Sequence, residues 1–415
     1  MENSDYNFIS YDEVYNAYID CRRYKASTVQ ACNFENNLYE NLYCLWRELD
    51  NGIYNVRQSY VFVVTKPVLR EVFAAQFRDR IVHHVVINRI MPHFEKKMIP
   101  NSFSCRIGKG TLCAIKTLEY ESNLITENFT KTAYVFKGDF TSFFMTINKS
   151  LLFQKICDLI RTEVHPDDEQ QANFLCNLVN LIIENEPQVG CIYKQPKKMW
   201  KNLPKKKSLF NTPSGYGLPI GNLTSQIFAN YYISEFDHFI YDELGFKYYG
   251  RYVDDFYILS ESKEKLIKAI PLLEKKLSEI GVTLHPKKRY LQELSKGMKF
   301  VGGVVKPHRT YIAKRTVGNW KSVIYEMSNY MQSIDIKDLS KADVSHFVSS
   351  FNSYLGFLRH HSTFKIRKKM CNHTLMAPFL KICYFNKNYT KMIPFREWSL
   401  NDKGDRFADT VDYYF

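Results

Sequence analysis

Two adjacent carboxylates lie inside an apolar segment of the sequence. Asp254 and Asp255 follow Tyr252 and Val253, and strand-forming residues surround the group over residues 246–259. Like charges this close raise the pKa of each carboxyl group and oppose folding unless a cation neutralises them, and hard divalent cations prefer oxygen ligands. From these two residues alone an exposed Asp-Asp turn is the simpler explanation, so a metal site requires a further ligand.

Asp139 supplies that further carboxylate from a second aromatic-rich segment upstream. Two cations about 3.5–4 Å apart can bridge three carboxylates and a triphosphate, one activating a hydroxyl and the other stabilising the leaving pyrophosphate. Such a geometry requires carboxylates from separate strands. Together, Asp139, Asp254 and Asp255 predict a site for two Mg²⁺ ions, with Mn²⁺ as a substitute.

A loop punctuated by glycines precedes a helical segment between the two acidic positions. Gly215, Gly217 and Gly221 carry no side chain, so the backbone there can approach a base pair closely before the helix begins near residues 223–226. Glycines in such a place are also ordinary turn residues. The loop is therefore a weak signal by itself and gains weight only beside the carboxylates.

The elements that must position these residues appear as periodic patterns. Apolar residues at helical spacing predict helices, and short runs of β-branched and aromatic residues predict strands. Proline within a helical pattern predicts a kink. The predicted elements are helices in residues 10–50, 79–91, 260–280 (kinked at Pro271) and beyond 313, and strands in residues 60–64, 134–140 and, as a pair hinged on the two adjacent aspartates, 248–259.

Composition and charge limit the class of protein. The 415 residues include 57 Lys and Arg against 43 Asp and Glu, and the net charge of +14 and pI near 9.1 favour a polyanionic partner such as nucleic acid or an anionic membrane face. No run of about 18 apolar residues occurs, and the first residues lack the layout of a signal peptide. The ten cysteines form no C-x-x-C pair. We expect a soluble cytoplasmic protein without a disulfide framework or structural zinc.

Basic residues are concentrated in two segments. A solvated charge run is the ordinary explanation for such a segment, and contact with the phosphates of a hybrid duplex is the alternative. The two segments are residues 194–207 and 359–369.

Five motifs, in their order and spacing, resemble the palm motifs of reverse transcriptases. They are Lys137–Phe144, Gly217–Gln226, Tyr252–Asp255, Leu284–Lys288 and Phe300–Gly303. The resemblance extends over roughly residues 10–370 and implies an RNA-directed DNA polymerase with an α+β, right-hand fold of fingers, palm and helical thumb.

Within that family the sequence is similar to bacterial diversity-generating retroelement reverse transcriptases. The segments that carry this similarity are Lys66–His84, Gly108–Thr111, Ile220–Gln226 and Ser353–Gly356. Group II intron enzymes usually have Gln-Gly and Ser-Pro where this chain has Ile220-Gly221 and Ser225-Gln226. The segment beyond about residue 375 matches no motif, and defence-associated bacterial reverse transcriptases, which vary most at their ends, remain the alternative.

The resemblance also implies roles for single residues in the chemical step. Asp139, Asp254 and Asp255 would bind the metal ions, with Phe140 among the metal-site and nucleotide-binding residues. Lys288, in preference to Lys287, would lie near the leaving pyrophosphate as a proton donor. A solvent-exposed lysine in a turn is the alternative explanation for that position.

For the incoming dNTP, the resemblance implies binding of the triphosphate by fixed positive charge. Lys66 and Arg70 would supply that charge, although surface cations at a strand edge fit the pattern as well. Phe144 would lie beneath the sugar and exclude a 2′-hydroxyl, or it is a core aromatic. The full set of predicted dNTP-binding residues is Lys66, Arg70, Phe140, Phe144, Gly221 and Gln226.

On the template side, Ile220 and Gln226 would stack near the templating pair. The resemblance associates this loop with errors at template adenines, which predicts low fidelity. Priming by Tyr413 or Tyr414 is a further hypothesis. The predicted template and primer residues are Ile220, Arg78, Lys197, Lys198, Phe300, Gly302 and Arg359.

The predicted organisation has four parts. They are fingers in residues 1–138, a palm in 139–312 with a basic insertion at about 185–214, a helical thumb in 313–375, and an extension of unknown role in 376–415. Expected partners are a structured noncoding template RNA, the RNA–DNA hybrid, dNTPs and a small basic accessory protein, and no membrane. A catalytically silent RNA-binding protein is the alternative from another class, and the retained carboxylates, which repel nucleic acid, argue against it. A membrane-surface protein is a weaker alternative, because no basic amphipathic helix is isolated from the catalytic pattern.

Overall fold

The computed structural model of the chain describes residues 7–23, 25–26, 28–65 and 68–399. Its contacts divide the chain into two compact units. Of the described residues, the first unit comprises those within 1–107, 136–258 and 263–290, and the second comprises those within 108–135, 259–262 and 291–415. The predicted boundaries of fingers, palm and thumb stay a prediction.

Helices and short strands alternate along the described residues, which confirms the predicted α+β class. The helices are α1 Tyr11–Arg22, α2 Val29–Glu35, α3 Leu38–Asp50, α4 Phe77–Lys97, α5 Thr111–Ile125, α6 Phe143–Thr146, α7 Lys149–Leu159, α8 Glu169–Glu184, α9 Leu223–Tyr232, α10 Ser234–His238, α11 Lys263–Glu279, α12 Lys314–Ser333, α13 Lys341–Leu358 and α14 Phe364–Cys371. The strands are β1 Tyr60–Val64, β2 Arg70–Ala74, β3 Tyr134–Asp139, β4 Ile192–Tyr193, β5 Tyr249–Tyr252, β6 Asp255–Ser260, β7 Tyr290–Glu293, β8 Met298–Phe300, β9 Gly303–Lys306, β10 Arg309–Ile312, β11 Cys383–Phe385 and β12 Met392–Pro394.

The predicted elements agree with these bounds to within a few residues, with one clear difference in length. The strand predicted at residues 60–64 coincides with β1, and the predicted pair at residues 248–259 corresponds to β5 and β6. The helix predicted over residues 79–91 is longer in the structure, because α4 continues to Lys97 with Pro92 inside it. The pattern is therefore reliable for the type of an element and less so for its ends.

In the first unit, a small sheet has the strand order β2-β1-β4. Strands β1 and β2 are antiparallel, with Val64 opposite Arg70, and β4 runs parallel to β1. The N-terminal helices pack through apolar stripes, as in α3, where Leu42, Leu45 and Leu49 are fully buried. The sheet thus presents Arg70 at the end of a strand.

A four-stranded sheet with the order β5-β6-β3-β7 carries the acidic residues. Asp139 is the last residue of β3 and Asp255 is the first of β6. In the first unit, aromatic rings pack together beside these strands, with Phe140, Phe236 and Phe256 all buried and in mutual ring contact. This aromatic cluster fixes the strand ends at which the carboxylates lie.

The second unit has its own core and its own sheets. Strands β8, β9 and β10 form an antiparallel meander, and β11 pairs with β12. Helices α12 and α13 bury Trp320, Phe347 and Phe351 against residues that follow α14, including Phe379. A capping box in which Ser340 and Asp343 bond reciprocally begins α13. None of the helices in the described part of the chain is long and apolar enough to span a bilayer.

Candidate active site

The turn between β5 and β6 carries the two adjacent aspartates. Tyr252 pairs with Asp255 across the hairpin, so the turn consists of Val253 and Asp254. Val253 has φ of 56°, a left-handed conformation that is unfavourable for a β-branched residue. Contacts around the turn must therefore hold it in this conformation.

A fully buried arginine supplies one of these contacts. The Nη1 atom of Arg251 donates a hydrogen bond of 3.0 Å to the carbonyl oxygen of Val253. Its guanidinium group pairs with the buried carboxylate of Asp237 at 2.6 and 2.7 Å, and the Tyr249 hydroxyl donates to the same carboxylate. A charged group with this many partners has a fixed position, and it fixes the turn in its place.

The arginine also ties the hairpin to neighbouring segments of the first unit. Its Nη1 atom donates to Asn230 Oδ1 in α9 at 3.0 Å, and the Asn230 side-chain amide donates to the carbonyl of Ser104. The backbone N–H of Arg251 donates to the Asn101 carbonyl, and its carbonyl accepts from the Phe103 N–H. No role for Arg251, Asp237 or Asn230 follows from the sequence, because no local spacing connects them.

The structure brings Asp139 next to the Asp254-Asp255 turn. The backbone N–H of Phe140 donates a 3.0 Å hydrogen bond to the carbonyl of Asp254, which joins the end of β3 to the hairpin. Burial raises the pKa of the Asp254 carboxyl group, and the negative charge of Asp139 raises it further. A carboxylate from a distant segment of the sequence thus acts electrostatically on the two adjacent ones.

Two lysines neutralise part of this negative charge. Lys288 Nζ lies 2.8 and 3.0 Å from the two carboxylate oxygens of Asp139, and Lys137 Nζ lies 2.7 Å from Asp255 Oδ1. Burial raises the pKa of Asp255 to about 6, against the attraction of Lys137, and Asp254 and Asp139 add to the increase. Lys137 belongs to a motif that the sequence analysis recognised, yet its pairing with Asp255 was not predicted.

The donor set suits hard divalent cations, although the side chains are not yet arranged around one. Among the described residues, no group of three or more His, Cys, Asp or Glu side chains has the arrangement of a metal site. The buried Asp255 Oδ1 has the Lys137 ammonium group 2.7 Å away as its ion-pair partner. Carboxylates that repel one another are a feature that a cation would stabilise.

Of the two cationic residues predicted to bind the dNTP triphosphate, the structure describes Arg70. Arg70 begins β2, and its positive charge lowers the pKa of Asp254, so its guanidinium group is within electrostatic reach of the carboxylates. Lys66 lies outside the described residues. Tyr413 and Tyr414 also lie outside them.

The glycine-punctuated loop lies against β2. The carbonyl of Ile220 accepts a 2.8 Å hydrogen bond from the Phe73 N–H, and Asn222 Oδ1 accepts from the Ala75 N–H at 3.0 Å. Gly221 has φ of 124°, and a Cβ atom there would lie 2.6 Å from Val72 Cγ1. Glycine is therefore required at this position by both conformation and space. The loop that carries Ile220 is placed beside the strand that carries Arg70.

Two further predicted nucleotide-binding residues are close to this loop. The carbonyl of Phe144 accepts from the Leu218 N–H at 2.8 Å, and the Phe144 side chain is only partly buried, unlike the core residue Phe143. The side-chain carbonyl of Gln226 accepts a 3.0 Å hydrogen bond from the Cys105 thiol. Cys105 was not among the predicted residues, and it fixes the orientation of the Gln226 amide.

Phe140 has a more limited role than the sequence analysis allows. Its ring is 1% exposed and packs in the aromatic cluster, so the side chain is not accessible to a nucleotide. Only backbone atoms of Phe140 remain available at the carboxylate site.

The side chain of Arg78, one of the predicted template residues, is buried. It is buried in α4, where it forms an ion pair with Glu48, lies 3.5 Å from Asp79 Oδ1 and packs over the Tyr54 ring. A charged group buried with such partners contributes to packing between α3 and α4. We therefore leave Arg78 out of the proposed template surface.

The basic segment at residues 194–207 is exposed but firmly anchored. Lys197 and Lys198 are exposed, as a phosphate-contacting role requires. The buried carboxylate of Glu71 on β2 accepts hydrogen bonds from Trp200 Nε1 (2.8 Å), the Ser208 hydroxyl (2.9 Å) and the Leu209 N–H (2.7 Å). Glu71 was not singled out from the sequence, and it determines where the segment lies.

The remaining predicted primer and template residues belong to the second unit. Phe300 is fully buried at the end of β8, and Gly302 adopts φ of 91° in the turn before β9. Arg359 is exposed and follows α13. Of these three, only Arg359 presents its side chain to solvent.

The fold and the paired-strand carboxylates together define a right-hand nucleotidyl-polymerase architecture. A family model described as "Reverse transcriptase (RNA-dependent DNA polymerase)" matches residues 69–305, which is more than half of the chain. The chain belongs to the reverse transcriptase family, whose reaction class is RNA-directed DNA polymerisation, a nucleotidyl transfer. The predicted family is thus confirmed, and its subtype stays a prediction.

Solved structures of telomerases are also similar to this chain, at 9–14% sequence identity. The apo telomerase of Candida tropicalis has 13% identity and a TM-score of 0.45, covering 81% of this chain and 63% of that one. A form of it truncated from the C-terminal domain has 14% identity and a TM-score of 0.43, covering 62% and 55%. The Candida albicans telomerase in complex with a fragment of telomeric RNA has 9% identity and a TM-score of 0.44, covering 79% and 59%.

This chain therefore spans about 55–63% of the length of the telomerase chains that it matches. No curated protein matches the sequence.

Proposed function

We propose that this chain copies an RNA template into DNA by metal-dependent nucleotidyl transfer. The observation that carries the proposal is the meeting of Asp139 with the Asp254-Asp255 turn, in a chain whose family performs this reaction. Asp139, Asp254 and Asp255 would hold two Mg²⁺ ions, which supply charge stabilisation and activate the primer hydroxyl when bound.

The other residues of the site position the substrates. Arg70, fixed at the start of β2, offers a bidentate cation to the triphosphate of the incoming dNTP. The half-buried ring of Phe144 lies next to the loop at Leu218, where it would exclude a 2′-hydroxyl and favour dNTPs over ribonucleotides. Lys288, whose ammonium group lies 2.8 Å from Asp139 Oδ1, would protonate the leaving pyrophosphate.

Primer extension tests this function. The chain should extend a DNA primer on an RNA template with dNTPs and Mg²⁺, and Asp254→Asn should lower the rate by about a thousandfold or more, since the loss of a group central to transition-state stabilisation has effects of this size. Asp167→Asn removes an exposed carboxylate from the same unit and should leave the rate unchanged. A chain that binds the RNA but extends no primer would instead be the silent RNA-binding protein.

For the biological role, we propose error-prone copying of a structured noncoding RNA in a bacterial diversity-generating retroelement, in the cytoplasm. The support is the Ile220-Gly221 and Ser225-Gln226 pairs, which carry the resemblance to these enzymes. The Cys105 thiol donates to the Gln226 side-chain carbonyl of this loop. A small basic accessory protein would assist RNA binding. Defence against phage is the second candidate, favoured by the unmatched C-terminal segment.

Sequencing of the DNA products tests whether the loop that carries Ile220 and Gln226 affects fidelity. If the Gln226 amide helps to permit misincorporation, Gln226→Asn and Cys105→Ala should both change the error rate at template adenines while errors at other template bases stay constant. Equal adenine error rates in wild type and both variants would end that part of the proposal. Genes next to this one offer a second criterion, since a repeat pair with an accessory gene accompanies diversification and a lone noncoding RNA accompanies defence.

A further inference from the structure

The segment that follows α4 covers the outer edge of the catalytic sheet. Strand β5 is the end strand in the order β5-β6-β3-β7, so among the described strands only β6 pairs with it in that sheet. On its other side, Ser102 forms an isolated parallel bridge with Arg251 of β5. The Arg251 N–H donates to the Asn101 carbonyl at 3.0 Å, and the Phe103 N–H donates to the Arg251 carbonyl at 2.9 Å. Residues 99–105, which we call the edge segment, therefore extend the sheet at the strand that leads into the catalytic turn.

The edge segment also contacts helix α9, which begins after the glycine-punctuated loop. The Ser104 hydroxyl donates to Asn230 Oδ1 at 2.9 Å, and the Asn230 amide donates back to the Ser104 carbonyl at 2.7 Å, with both residues buried. One residue later, the Cys105 thiol donates to the Gln226 side-chain carbonyl. Gln226 and Asn230 are four residues apart and so lie on one face of α9. The edge segment thus joins the catalytic turn to the helix that carries a predicted dNTP-binding residue.

The edge segment does not keep this shape through secondary structure of its own. In the described structure it contributes one isolated bridge and no helix or strand. Cys105 has φ of 55°, a left-handed conformation that few residues with a side chain adopt. A conformation of this kind persists only where the surrounding contacts determine it. The edge segment therefore needs a support outside itself.

The guanidinium group of Arg106 supplies that support. Its Nη1 atom donates to the carbonyls of Ile99 (2.7 Å) and Ser102 (2.9 Å), which lie within the edge segment. Its Nε and Nη2 atoms donate to the Glu95 carboxylate of α4 at 2.9 and 2.6 Å. The Arg106 side chain is only 7% exposed, so water competes little for these bonds. This planar fork closes the edge segment against the end of α4.

We propose that Arg106 is a positioning residue of nucleotidyl transfer, which holds the catalytic turn and the helix of Gln226 in register through the edge segment. The proposal rests on the proposed function for the reaction itself. Arg106 acts through backbone carbonyls of the edge segment, and not by contact with a substrate or a metal ion. Because bonds lead from this segment both to β5 and to α9, its release should disturb the turn and the dNTP contacts together.

A second arginine with similar bonds separates positioning from stability. Arg89 lies in the same unit, its side chain is 14% exposed, and its guanidinium group donates to the Glu13 carboxylate and the Phe8 carbonyl. Both partners belong to α1 and the residues before it, which carry none of the predicted site residues. Arg89→Met should therefore lower the urea midpoint of unfolding much as Arg106→Met does, and leave the kinetics of primer extension at wild-type values.

The kinetics of the Arg106 variants test the proposal. Arg106→Met should lower kcat for primer extension by about tenfold or more and raise the KM for dNTP, because both the turn and Gln226 lose their alignment. Rates are measured at a temperature where circular dichroism shows every variant folded. Arg106→Lys keeps the charge but cannot bond Glu95 and two carbonyls as a planar fork, so its kcat should stay well below wild type. Wild-type kinetics in Arg106→Lys would overturn the proposal, because charge alone would then be enough.

Hydrogen exchange measures the same alignment without catalysis. Backbone amides of residues 249–255 and 223–232 should exchange faster in Arg106→Met than in wild type, and not in Arg89→Met, as followed by mass spectrometry. Unchanged exchange in both peptides would overturn the proposal. Equal kinetic losses in the two methionine variants would overturn it as well, because general stability would then account for the rates. If wild type extends no primer, the proposed function fails, and the exchange data still decide whether Arg106 holds the two elements.

Discussion

At the scale of single residues, the site depends on space as much as on charge. Gly138 precedes the catalytic candidate Asp139, and a Cβ atom at Gly138 would lie 2.3 Å from Cζ of Phe256. Phe256 follows Asp255 directly, so the same ring touches both strands that carry the carboxylates. The absence of one methyl group permits the close approach of β3 and β6.

Gly138→Ala should therefore harm both stability and activity. Forcing a methyl group into this contact displaces a buried aromatic ring, and overpacking of this kind costs about 1–3 kcal/mol. Urea unfolding and primer extension measure the two effects. Gly318→Ala is the matched control, because a Cβ atom at Gly318 in α12 meets no atom within 4 Å, and alanine there should stabilise the helix by up to about 1 kcal/mol. Wild-type stability in Gly138→Ala would contradict the packing argument.

At the scale of elements, the β5–β6 hairpin is held by a buried charge network. Arg251→Met leaves the carboxylate of Asp237 buried without its cation, which should destabilise the protein by about 3–5 kcal/mol. It also removes the donor to the Val253 carbonyl. The single variant would not show whether activity falls because the protein is less stable or because the turn is no longer positioned.

The double variant Arg251→Met/Asp237→Leu separates them. An apolar pair restores much of the lost stability, since a buried ion pair and well-packed apolar groups often contribute similarly. The turn still lacks its support, so kcat for primer extension should stay about tenfold or more below wild type while the KM for dNTP changes less. Recovery of kcat in proportion to stability would mean that the network has only a structural role.

Strand β2 performs a similar task for the exposed basic segment. Glu71→Ala removes the acceptor shared by Trp200, Ser208 and Leu209, and each buried donor left unsatisfied costs about 1–3 kcal/mol. The segment should then open more often, and trypsin should cleave within residues 197–207 several times faster. Glu40→Ala, at an exposed position of α3, should leave the cleavage rate unchanged. Equal rates in all three proteins would show that the segment is held by other contacts.

At the scale of the whole molecule, cation binding should be visible as stability. A ligand that binds only the folded state, at a free concentration of ten times its Kd, adds about 1.4 kcal/mol to the free energy of unfolding. MgCl₂ should thus raise the melting temperature of the wild type by about 2–4 °C relative to KCl of equal ionic strength. Asp139→Asn/Asp254→Asn should lose this rise, which differential scanning fluorimetry would detect. The same rise in both proteins would place the stabilising ions elsewhere.

The sequence predicts more of the catalytic centre than of its supports. The Asp254-Asp255 turn follows from runs of aromatic and β-branched residues and from motifs with fixed spacing, and Asp139 ends a strand that the same kind of run predicts. The Arg251–Asp237 pair has no such signal, because its partners meet only through the packing of α10 against the hairpin. Arg78 shows another limit of a local pattern, since a charged residue in a helical segment is usually exposed and this one is buried.

The positions of exposed segments are the hardest features of this fold to predict from the sequence. The position of the basic segment depends on Glu71, which lies more than one hundred residues earlier in the chain. The two short strands β11 and β12 form beyond residue 375, where the sequence has no clear periodicity. Elements of this kind depend on tertiary contacts that a local pattern does not contain.

The lysines beside the aspartates act as built-in counterions. Lys137 pairs with Asp255, and Lys288 pairs with Asp139. Because these ammonium groups offset part of the carboxylate charge within the fold itself, a chelator should abolish primer extension without unfolding the protein. Restoring Mg²⁺ to the same sample should then restore activity without a refolding step.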